Sequence, residues 1–80
     1  MKYTEEKDLF NKNFPNPVFY IFSPSRVSNQ FILTEYVSNN PFRVRSIDSS
    51  NDVNVILNKG KSIASQNKTI FIDNEIFVPI

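Results

Sequence analysis

Eighty residues, with nine Lys and Arg against eight Asp and Glu for a net charge of +1, fit one domain spanning 1–80. That balance excludes a polyanion binder acting through bulk field, and equally an acidic mimic of nucleic acid. No Cys and no His occur, which removes disulfides, thiolate and imidazole metal ligands and the usual acid–base catalyst of neutral pH.

Taken in chain order, Thr4 is placed to cap a short helix reaching about Asn13, with Glu5, Glu6 and Asp8 favouring its positive end. Leu9 and Phe10 are its only strong apolar residues before Phe14, so it is a weak lead-in that Pro15-Asn16-Pro17 stops. Val18 to Phe22 is apolar on both faces, the pattern of a central strand covered from two sides. Ser23 to Asn29 is a polar connection, and Gln30 to Val37 is a second strand of aromatic and branched residues. After a turn at Asn39-Asn40-Pro41, a third strand alternates from Phe42 to Ile47, with Phe42 and Val44 inward and Arg43 and Arg45 outward. These three make a meander.

Ser49 and Ser50 have the character of helix-start residues. Val53, Ile56, Leu57, Gly60, Ile63 and Ala64 then recur at helical spacing. Val53, Val55 and Leu57 also alternate ahead of a hairpin-like Asn58-Lys59-Gly60. The helical template accounts for more residues and predicts a helix over 51–65. Gly60 on its inner face permits close approach to the sheet, at a cost of roughly 1 kcal/mol relative to Ala. The tail reads as a hairpin turning at Asp73-Asn74-Glu75, pairing Ile72 with Ile76 and Ile70 with Val78. Phe71 and Phe77 then meet on the other face. The expected fold is α+β in the order α-β-β-β-α-β-β. Its sheet is antiparallel, of about five strands, with one main helix packed on one face.

The chemistry-bearing motifs fail on their own requirements. Gly60-Lys61-Ser62 resembles the end of a phosphate loop, but Val55 stands where another Gly is needed. Asp48-x-Ser50-x-Asp52 resembles the start of a calcium loop, yet Val53 replaces the bending Gly and Lys59 the closing Glu. Helix capping suits these residues better. Glu35, the one acid inside a largely apolar segment, is best read as paired with Arg43 or Arg45 on the neighbouring strand. A Ser without His or an evident Lys base has no activation. No catalytic residue, metal site or cofactor is expected.

Eight Phe and three Tyr against a single Ala make large rings the main filling of a small core, and also candidates for contact. In the hairpin register, Arg43, Arg45, Phe71 and Phe77 project from one face, a chemistry suited to anchoring a protein partner. The expectation is a non-enzymatic protein-binding or inhibitor module. Phage-encoded inhibitors of host defence proteins are one such kind, compatible with the AT-rich coding that eleven Asn and nine Ile suggest. The alternative is nucleic-acid binding through Arg43, Arg45, Lys59, Lys61 and Lys68. A ligand-binding homo-oligomer is a third option. The longest apolar uncharged run, Pro17 to Phe22, is too short to span a membrane. The acidic first eight residues do not suit a secretory signal, so a cytoplasmic location is expected.

Overall fold

The computed structural model describes residues 2–12, 14, 17–38 and 43–79. Strand β1 (Lys2–Glu5) leads into helix α1 (Glu6–Phe10). Strands β2 (Val18–Phe22), β3 (Phe31–Val37) and β4 (Arg43–Ser50) follow, then helix α2 (Val53–Asn67) and strand β5 (Ile70–Val78). The strands form one five-stranded sheet in the order β1-β5-β2-β3-β4.

The meander is present as β2-β3-β4, antiparallel throughout. The tail departs from expectation. It is a single strand that enters between β1 and β2 and runs parallel to both. The sheet is therefore mixed, and the element order is β-α-β-β-β-α-β. Asp73-Asn74-Glu75 is a bulge inside β5, because Tyr20 pairs with Ile72 while the next residue, Ile21, pairs with Ile76. A turn and a bulge interrupt the period of two in the same way. The outcome is set by the neighbours: beyond the bulge, β5 is flanked by β1 on one side and β2 on the other.

Residues 2–5 supply that extra neighbour. Thr4 pairs with Phe77 within β1 and caps nothing, and α1 begins after Glu5 without a side-chain cap. Four strand pairings satisfy more backbone than one cap can. Of the stop at Pro15-Asn16-Pro17 only Pro17 lies within the described residues, and the turn at Asn39-Asn40-Pro41 and the inward Phe42 lie outside them.

The two parallel crossovers travel across the sheet in opposite directions, β1-α1-β2 one way and β4-α2-β5 the other. Crossovers of one hand then place their connections on opposite faces. Accordingly β2 is covered from both sides, as its sequence predicts. On the α2 face, Phe19, Ile21, Leu33, Ile56 and Ile76 form one core cluster. On the α1 face, Leu9, Val18, Tyr20, Tyr36 and Phe77 form another. Tyr20 is fully buried there, and its hydroxyl donates a 2.6 Å hydrogen bond to Glu6 Oε2. Burial first, and the Glu6 carboxylate second, push the phenol well above its ordinary 10.0.

Helix α2 starts two residues later than expected and is capped by Asp52, whose carboxylate accepts from the Asn54 amide at 3.0 Å. Ser49 and Ser50 belong to the end of β4. The helix ends on Lys68 in the left-handed conformation, φ 53°. Ile56, Gly60 and Ala64 are buried against the sheet. Gly60 makes the close approach expected of it: a Cβ there would lie 2.5 Å from Cε1 and Cζ of Phe71.

Candidate interaction surface

Residues paired across neighbouring strands share a face. Phe71 pairs with Phe19, Phe19 with Glu35, and Glu35 with Arg45, so these four form one row across the α2 face. Arg43 lies two residues from Arg45 on that same face. Phe77 pairs with Phe22 and Thr4 beyond the bulge, in the α1-side core, where it is 1% exposed. Arg43, Arg45, Phe71 and Phe77 thus do not form a common patch. The physical reason is parity. Three inserted residues, Asp73, Asn74 and Glu75, shift the alternation of β5 by an odd number and send Phe77 to the opposite side. Phe71 does share the arginines' face, but β2 and β3 intervene, three strand spacings or about 14 Å. Its ring tip points at Gly60 beneath α2.

What survives at the surface is the arginine pair. Both arginines sit on β4, an outer strand whose first four residues, Arg43 to Ser46, are all exposed. Arg45 Nη2 is 3.1 Å from Glu35 Oε1, the cross-strand pair anticipated for Glu35. Among the described residues Arg43 makes no ion pair. Val44 points to the other face opposite Tyr36 and is 45% exposed, so it is not the inward residue that alternation suggests. Its exposure is what sequence reasoning missed. Its flanking by two arginines was the available signal, since charged neighbours mark an outer strand. Further along, Ser46 pairs with Thr34 and Asp48 with Leu33, leaving Ile47 as a second bulge. Beside it, over the β3–β4 pair, is a shallow depression of ≈ 290 Å³ lined by Gln30, Ile32, Ser46, Ile47, Asp48 and Ser49.

The remaining cations are dispersed. Lys59 forms an ion pair with Asp48. The hydrogen bond from Lys59, another from the Ser49 amide and the lysine's charge together hold the Asp48 carboxyl below its ordinary range. Lys61 is two residues further along the same helix, about 160° around its axis from Lys59 and so on the opposite flank. Lys68 stands at the helix C-terminus. All five cations, Arg43, Arg45, Lys59, Lys61 and Lys68, thus lie on the α2 side of the sheet, but they are divided between the β4 edge, the two flanks of α2 and its C-terminus, and two of them are already paired.

The motif-like stretches have structural roles. Gly60, Lys61 and Ser62 lie within α2, where no strand runs directly into a turn. Asp48 is bound to Lys59, the Ser50 hydroxyl accepts from the Asp52 amide, and Asp52 caps the helix. Glu75, expected at an exposed turn tip, is 8% exposed inside the bulge. It receives a 3.3 Å hydrogen bond from the Thr4 hydroxyl and a 3.2 Å ion pair from Lys2. Among the described residues, no group of three or more His, Cys, Asp and Glu side chains could hold a metal, and no helix is long and apolar enough to cross a membrane. Comparison with known proteins finds no matching family model, no matching curated protein and no matching solved structure, so the functional reading rests on this geometry.

Proposed function

We propose that this chain is a non-enzymatic protein-binding module whose contact surface is the outer edge of β4, with Arg43 and Arg45 as its charged determinants. The observation that carries the reading is the character of that edge. It presents four consecutive exposed residues, an arginine pair on one face and an exposed Val44 on the other. An outer strand offers a row of backbone donors and acceptors without partners in its own sheet. Arginine beside exposed apolar surface is the composition that protein interfaces favour. A binder of this kind acts by occupying its partner's surface, and the mode of action we propose is inhibition, as in a phage inhibitor of a host protein.

The test replaces Arg43 by Glu and Arg45 by Gln, the Gln keeping a donor for Glu35. Captured from a lysate of the native cells, the partner should fall by about tenfold on the variant, equivalent to about 1.4 kcal/mol. The variant's far-UV circular dichroism should be unchanged. Equal capture by the variant would remove β4 from the interface. Captured material that disappears on nuclease treatment would favour the nucleic-acid alternative.

A further inference from the structure

Resting on the reading of β4 as the contact surface, we infer that its occupant is an extended segment in which acidic and apolar residues alternate, added to the sheet as a sixth strand. Alternation along β4 dictates the pattern. Arg43 and Arg45 lie on the α2 face, while Val44 and Ser46 lie on the other. A strand paired to this edge places its own residues in the same two rows. An acid opposite Arg43 gains a favourable cross-strand pair, one opposite Arg45 shares that guanidinium with Glu35, and an apolar residue opposite Val44 covers the exposed side chain.

The same residues discriminate against the commonest wrong partner, a second copy of this chain. Antiparallel pairing of two β4 strands centred on Val44 sets the arginines of one copy opposite those of the other on one face. Directly opposed like charges are unfavourable. The bulge at Ile47 ends the regular stretch after Ser46, which limits the pairing segment to about four residues and blunts indiscriminate edge-to-edge association. The opposite edge is a poorer site, because three of the four residues of β1 are half-buried, whereas Arg43 to Ser46 are all exposed.

The probe is a blocked synthetic peptide, Thr-Glu-Val-Glu-Val-Thr, titrated into the whole isotope-labelled chain and followed by amide chemical shifts. A peptide of identical composition in the order Thr-Glu-Glu-Val-Val-Thr is the control, since it mixes the faces. Shifts should concentrate on residues 43–50, with the alternating peptide binding about tenfold tighter than the control. N-methylation of one alternate set of peptide residues should abolish binding, and methylation of the other set should leave it intact. Arg43→Glu should weaken the alternating peptide by about tenfold. Equal binding of the two peptides, equal sensitivity to both methylation sets, shifts centred on Lys61 or Lys68, or no shift at all would each overturn strand addition. If the peptide fails while Arg43→Glu with Arg45→Gln still loses the native partner, the β4 surface stands and only the strand-addition mode falls. If both fail, the surface falls too.

Discussion

Replacing Gly60 by Ala puts a methyl carbon 2.5 Å from Cε1 and Cζ of Phe71 and 2.8 Å from Cε2. Carbon atoms pack best at about 3.5–4.0 Å, so the overlap is about 1 Å and something must yield. Either α2 lifts from the sheet or the Phe71 ring swings away from the cluster it packs against. Overpacking of this kind costs about 1–3 kcal/mol. Against it stands the helix preference for Ala over Gly, about 1 kcal/mol at an interior position. The net expectation is a destabilisation of about 1 kcal/mol, lowering Tm by roughly 4–8 °C in a domain of this size. Urea unfolding followed by circular dichroism measures it directly. In a Phe71→Leu background the ring tip is gone, and the same Gly60→Ala change should become stabilising by about 1 kcal/mol, a coupling near 2 kcal/mol. A stability gain from Gly60→Ala in the unaltered chain would refute the close helix–sheet approach.

Other consequences can be measured with the same material. Tyr20→Phe removes a buried hydroxyl bound to a carboxylate, so stability should drop by about 1.5–3 kcal/mol in urea titrations. The Tyr20 phenol is held above 10.0 in the folded chain, so its contribution is complete below that pH and is lost as pH rises past it. One of three tyrosines should therefore ionise only on alkaline unfolding by ultraviolet titration, and Tyr20→Phe should weaken the loss of stability above pH 10.0. Phe77→Ala empties a core position rather than a contact, costing about 3–5 kcal/mol, which leaves a chain of this size barely folded. A well-folded Phe77→Ala protein would show the α1-side core to be misplaced. The Asp48 carboxyl should titrate by NMR below the ordinary Asp range and move up towards it in Lys59→Met, the Ser49 amide bond alone remaining to hold it down. Because its folded pKa is depressed, its stabilising share is present above the unfolded value and disappears as pH falls through the folded one.

Much of the architecture can be read from residue order because local pattern and neighbours agree there. The doubly apolar Val18–Phe22, the meander that follows, the 3.6-residue recurrence of Val53 to Ala64, the inner-face Gly60 and the Glu35–Arg45 pair all fall in this class. The tail is different. Asp73-Asn74-Glu75 carries turn chemistry, and what makes it a bulge is the availability of residues 2–5 as a parallel neighbour. Those residues themselves carry a cap-like Thr4 followed by acids, a helix signal that tertiary pairing overrides. The candidate surface inherits the same division. Arg43 and Arg45 are exposed, but so is Val44 between them, because β4 is an outer strand and its position there, more than alternation, exposes all three. Phe71 and Phe77 separate because one odd insertion reverses every later residue of β5.

The strand latest in sequence is second in the sheet. Thr4 and Glu75 meet across 71 residues, and among the described residues β1 pairs with β5 alone. A growing polypeptide that has not yet delivered Ile70–Val78 has a meander with one bare inner edge and an N-terminal segment with nowhere to dock. Closure of the fold therefore waits on the most distant pairing in the chain, an arrangement that slows folding and exposes β2 until it completes.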